Sequence, residues 1–137
     1  MMDRFTEQKR KQIMASIKGC HTLPEKLVRR CLRNLGIRFR GNVRRLSGTP
    51  DMVIRGQKKA VFVHGCFWHG HKGCPRAARP ETNRVFWDKK IDGNMARDRR
   101  NLRELKKEGW SVLVIWQCQT KDETALMRRL QRFAEKE

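Results

Sequence analysis

Three of the four histidines fall at positions 64, 69 and 71, with Cys66 and Cys74 between and beside them. Cys66, His71 and Cys74 have Cys-x4-His-x2-Cys spacing in a stretch rich in turn residues, a compact nitrogen and sulfur set that suits zinc. A tetrahedral structural site needs a fourth ligand. Cys118, just past an apolar run at 111–116, is the best placed to supply it, tying the loop to a distant strand. The bland reading keeps Cys66, Cys74 and Cys118 as buried thiols and the histidines as polar surface. Cys31 suits that reading on the apolar side of its own segment, and Cys20 has no ligand neighbour. His64 and His69 stay outside the metal set. Either could accept a proton near neutral pH, and His64 could instead hold a phosphate as an imidazolium. Phe67 and Trp68 stand between them and are hard to explain as core. Apolar wedges of this kind unstack and bend a nucleic acid duplex, at least cost where a step is already mispaired.

Those residues need elements to position them. The 137-residue length predicts one domain, 1–137, and 38% hydrophobic residues suffice for a core. Thr22-Leu-Pro-Glu25 reads as a helix start, with Leu27, Cys31 and Leu35 at helical spacing before Gly36. An earlier helix is expected over Thr6–Ile17. Strands are expected at Ile37–Arg40, Asp51–Ile54, Lys59–His64 and Ser111–Trp116. Helices are expected from about Thr82 to Lys90, from Asn94 to Glu108 and from Asp122 to Lys136, with a loop over 65–80. Trp110 and Trp116 read as core. The pattern is α/β, a central mixed β-sheet flanked by helices.

Composition selects the partner. Lys and Arg number 33 against 14 Asp and Glu, a formal charge of +19. That excess attracts polyanions and makes nucleic acid the expected partner. A membrane surface is the weaker rival, because the basic residues are spread along the whole chain. No apolar stretch is long enough to span a bilayer, which predicts a cytosolic protein with reduced thiols. Arg97, Arg100 and Arg103 share a helical face that reads as phosphate-contacting, and Lys9-Arg-Lys11 could also clamp DNA.

Four blocks together resemble the very-short-patch repair (Vsr) endonucleases: Thr49-Pro-Asp51, Val61-Phe-Val-His64-Gly-Cys-Phe-Trp-His69, Asn94-x-x-Arg97-Asp98-Arg99-Arg100 and Gly109-Trp-x-Val-x-x-x-Trp116-x-Cys118. The resemblance runs from about Lys9 to Cys118, in the family's order. It implies a restriction-endonuclease-like fold, a structural zinc and a Mg²⁺-dependent nick 5′ of the thymine of a T:G mismatch left by 5-methylcytosine deamination. By resemblance, Asp51 binds Mg²⁺ with the backbone carbonyl of Val63, where a well-known member has threonine. His69 is the general base, and His64 and Glu25 support it near the scissile phosphate. The zinc ligands match Cys66, His71, Cys74 and Cys118, although the spacing after His71 is one residue longer than the family's. Phe67, Trp68 and Trp87 match the aromatic wedge, while Phe86-Trp87 reads equally as packing. Glu25 also reads as the third residue of the helix cap. The partners implied are double-stranded DNA with a T:G mismatch and mismatch-repair proteins, for a monomer working at the bacterial nucleoid. Related nucleases of this fold carry Glu-x-Lys where this chain has Phe62-Val63-His64, so the second carboxylate and the lysine are missing. Two other readings stand beside the first: a nickase of the same fold with a different or relaxed target, and a catalytically silent zinc-containing DNA-binding module.

Overall fold

The computed structural model describes residues 22–136. The expected helix over Thr6–Ile17 and the basic run at Lys9 lie outside them, as does Cys20. Helix α1, Leu23–Asn34, starts where the sequence reading places it. The Thr22 hydroxyl accepts from the Glu25 amide and Pro24 sits in the first turn. Its buried face is Val28, Cys31 and Leu32, with Glu25 one turn earlier. Leu27 and Leu35 lie on the flanks of that stripe and are only partly buried.

Four strands follow in spatial order: β1 (Phe39–Gly41), β2 (Met52–Ile54), β3 (Lys59–His64) and β4 (Ser111–Trp116). The first two pairings are antiparallel and β3–β4 is parallel, so the sheet is mixed as expected. In that parallel pair His64 stands opposite Trp116. Strand side chains alternate between faces, which explains the unbroken apolar runs of β3 and β4: helices pack on both faces. Met52, Ile54, Val61 and Ile115 pack with α1 and with α3 (Glu123–Glu135), the latter through Leu126, Leu130 and Phe133. Val53, Ala60 and Phe62 pack on the other face with Val43 and with Leu105 of α2 (Arg84–Lys107). Lys59 is buried in β3 because its ammonium donates to the carbonyls of Ala134 and Lys136 at the C-terminus of α3.

The segments expected at Thr82–Lys90 and Asn94–Glu108 form one helix, α2, which runs unbroken through Gly93. A glycine inside a helix costs about 1 kcal/mol and does not end it, and here burial of Trp87, Ile91 and Leu105 along one stripe offsets that cost. Strand β1 begins at Phe39 rather than Ile37. Asp51 lies one residue before β2, at the end of a turn. Of the tryptophans expected in the core, Trp110 and Trp116 are only partly buried.

A candidate active site beside a candidate Cys/His metal site

The parallel strands β3 and β4 end together, and the functional side chains gather at that end of the sheet. Asp51 is held there from both sides. The Val63 amide donates to Asp51 Oδ2 at 2.6 Å, and the Asn42 amide donates to the Asp51 carbonyl at 2.9 Å. The turn that delivers it is strained. Gly48 and Thr49 both have positive φ, at 77° and 50°, and a β-branched residue rarely adopts that conformation. Glu25 reaches the same place from the first turn of α1. It is 3% exposed, and neither carboxyl oxygen has a hydrogen-bond partner among the described residues. Its nearest cation is Arg29, with Nη2 3.9 Å from Oε1.

Burial, followed by the neighbouring Glu25 carboxyl, raises Asp51 to a pKa of about 8, against which the Val63 amide and Arg29 act more weakly. A buried and a half-buried carboxyl with oxygens to spare form a hard-donor set, which fits a small divalent cation. Before such a cation binds, the pair costs stability. The folded-state pKa lies above the ordinary 3.8, so the acid form's contribution is complete below about pH 4 and is lost as pH rises through about 8. In magnesium-free buffer Asp51→Asn therefore raises Tm by roughly 5–10 °C at pH 8 and by much less at pH 5. An asparagine keeps an acceptor for the Val63 amide and offers its NH₂ to Glu25. Paired thermal melts at the two pH values check this, and equal shifts would contradict it.

His64 and His69 stack face to face, with ring centroids 3.9 Å apart and planes 4° from parallel. Their environments differ. His64 is buried, and desolvation followed by His69 lowers its pKa to about 4, so the ring is neutral at pH 7. His69 is partly exposed, and its Nδ1 lies 2.6 Å from Asp98 Oδ2. A carboxylate accepts and does not donate, so Asp98 holds the proton on Nδ1 and leaves Nε2 as the basic nitrogen. Reading the sequence for function missed Asp98. The available signal was its place on α2: Trp87, Ile91, Asn94 and Asp98 follow i, i+4, i+7, i+11 spacing, so the acid continues the stripe that faces the protein. Asn94 was missed as well; its Nδ2 donates to the Trp68 carbonyl at 3.0 Å.

The residues expected as soft metal ligands converge. One ligand atom from each of Cys66, His71, Cys74 and Cys118 lies within 4.8 Å of all the others. The Cys118 amide donates to Cys66 Sγ at 3.4 Å, and Cys118 Sγ is 3.5 Å from His71 Nδ1. Cys66 is fully buried, and burial first of all pushes its thiol up to about 11. A metal would deprotonate these thiols and relieve that clustering. Trp116 joins this centre to the histidine pair. Its ring stacks on His71 at 4.1 Å and 7° and meets His64 edge-on at 5.2 Å. Gly70 lets the loop lie against α2: it has φ 59°, and a Cβ there would meet Met95 Sδ at 2.4 Å and Ile91 Cγ2 at 3.2 Å.

The aromatic residues form a block over the start of α2. Phe67 and Trp68 meet edge-on at 5.2 Å and are partly exposed. Trp87, expected to reach DNA with them, is instead fully buried, 5.3 Å from Phe67 and 5.8 Å from Trp68. It belongs to the inward stripe of α2, so the exposed aromatic of that turn is Phe86, at 44%, next to Val85. Arg97 and Arg100 are exposed on α2 on either side of Asp98.

Residues 2–76 match the sequence profile of the family described as DNA mismatch endonuclease Vsr. The chain belongs to the Vsr family. The type II nicking enzyme V.XorIIP of Xanthomonas oryzae pv. oryzae is 44% identical over 130 residues, 95% of each chain. The type II nicking enzyme V.NmeAIP of Neisseria meningitidis is 43% identical over 133 residues, 97% of this chain and 94% of its own. The DNA mismatch endonuclease Vsr of Escherichia coli K12 is 37% identical over 118 residues, 86% of this chain and 75% of its own. This Vsr-family chain is a DNA endonuclease, and its charge of +19 suits that substrate. Among the described residues no helix is long and apolar enough to cross a membrane.

Proposed function

We propose that this endonuclease, acting as one restriction-endonuclease-like domain, nicks one strand of duplex DNA 5′ of the thymine of a T:G mismatch. The observation that carries the catalytic half is the 2.6 Å His69–Asp98 contact at the same end of the sheet as the Asp51 and Glu25 carboxyls. His69 Nε2 takes a proton from water as the water attacks phosphorus, and Asp98 stabilises the imidazolium that forms. His64 stays neutral and holds the His69 ring by stacking. Mg²⁺ fits Asp51, the Val63 carbonyl and Glu25, where it would neutralise charge building on the phosphate and the leaving oxygen. Glu25 thus supplies from α1 the second carboxylate that the strand segment Phe62-Val63-His64 lacks. Zn²⁺ held by Cys66, His71, Cys74 and Cys118 would fix the loop that carries His69.

Mismatch preference rests on the aromatic block. Phe67 and Trp68 enter the duplex where a mispaired step resists least, and Trp87 backs them from beneath. Arg97 and Arg100 hold phosphates. The second reading, a nickase with a different target, is favoured by the names of the V.XorIIP and V.NmeAIP relatives. A cleavage panel of T:G, methylated and fully paired duplexes of one sequence separates the two. The mismatch reading expects cutting of T:G at least about a hundredfold faster than of paired DNA; equal rates would replace it with the second reading.

A further inference from the structure

The face of the sheet that packs on α2 is not wholly covered, and what lies on its open part is basic. Arg40 stands opposite Val53 in the β1–β2 register, on that same face. Arg45 follows in the next loop, and Arg55 and Lys58 come from the β2–β3 turn. With the half-buried Trp110 ahead of β4, they line a cleft of about 470 Å³. That size falls in the range of pockets that enclose a small ligand. No residue lining it is acidic. Arg40, Arg45 and Arg55 have no carboxylate partner among the described residues, and Lys58 Nζ donates to the Glu108 carbonyl at 3.2 Å.

The cleft lies away from the nicking centre. Lys58 and Trp110 precede the starts of β3 and β4, whereas His64 and Trp116 end them. Six residues of strand separate the two ends, about 20 Å at roughly 3.3 Å per residue. Guanidinium groups match phosphate oxygens in a planar fork, and the exposed part of the half-buried Trp110 indole offers a base a surface to stack on. An acidic peptide would use the cations and leave the tryptophan without a role.

We propose that the cleft lined by Arg40, Arg45, Arg55, Lys58 and Trp110 is a second nucleic-acid site, which takes a nucleotide unit of a single strand by holding its phosphate and stacking its base. A chain with two such sites holds a single-stranded segment while the other end of the sheet grips duplex. This does not depend on which duplex is cut.

The test titrates 5′-phosphorylated hexathymidylate into the full-length protein already saturated with a T:G duplex, with inorganic phosphate and hexaglutamate as parallel probes. The proposal expects the oligonucleotide to bind this complex without displacing the duplex, and to bind at least tenfold more weakly to the Arg40→Gln/Arg55→Gln protein. Duplex nicking by that variant should stay within about twofold, which shows that it is folded. Displacement of the duplex, unchanged affinity in the variant, or hexaglutamate binding as tightly as the oligonucleotide would each overturn it. Phosphate alone binding as tightly would overturn the stacking role of Trp110.

Discussion

The Asp51→Ala protein nicks duplex DNA at least about 10³-fold more slowly than the native chain, a loss of roughly 4 kcal/mol of transition-state stabilisation. Its affinity for the same duplex stays within about threefold or improves, because the change removes a negative charge from a phosphate-binding surface. Asp51 is fixed by two backbone amides and lies next to the buried Glu25, whose oxygens have no hydrogen-bond partner among the described residues. His69→Ala falls in a similar range, about 10²–10⁴-fold. Asp98→Asn falls less far, because an amide oxygen still accepts from Nδ1 but does not compensate the imidazolium charge. Single-turnover rates on one duplex give the ranking. Nicking by Asp51→Ala at near-native rate would remove the aspartate from the reaction.

The second large effect concerns the Cys/His centre. The purified protein should carry about one zinc per chain. Stripping it with a chelator should lower Tm by at least about 10 °C and stop nicking even with Mg²⁺ restored. Zinc bound by such a set contributes about 10–16 kcal/mol in small domains, comparable with or above the whole net stability of an ordinary fold. The loss would reach the active site because Trp116 stacks on His71 and abuts His64, and because the 66–74 loop carries His69 between two of the ligands. Cys118→Ala should reproduce the effect from the other side of the junction. Metal analysis and melting curves decide it; a zinc-free preparation with unchanged Tm would leave the four residues as an ordinary thiol cluster.

Much of this was legible in the chain itself. The alternating and continuous apolar patterns mark β3 and β4 to the residue, and Thr22-Leu-Pro-Glu25 marks the start of α1, because each rests on a local rule of backbone geometry. The Cys/His cluster was also legible, since Cys66, His71 and Cys74 sit within one short loop. What local rules could not give was contact across the fold. Asp98 looks like one charge among arginines until α2 turns it toward His69, and Glu25 looks like a cap residue until α1 lays it beside Asp51. Trp87 and Phe86 are neighbours with opposite fates, decided by the phase of a helix that continues through Gly93. The site is an assembly of α1, the turn before β2, β3, the 66–74 loop and α2, and only the loop is contiguous.

The central claim is that one centre, built from Asp51, Glu25 and the His69–Asp98 pair, makes a single cut in a single strand. The most direct measurement is a single-turnover reaction on a T:G duplex with each strand end-labelled separately, run with Mg²⁺. The prediction is one product, cut immediately 5′ of the mismatched thymine, with the guanine strand intact throughout. Cleavage of both strands, or equal cutting at positions away from the mismatch, would contradict it.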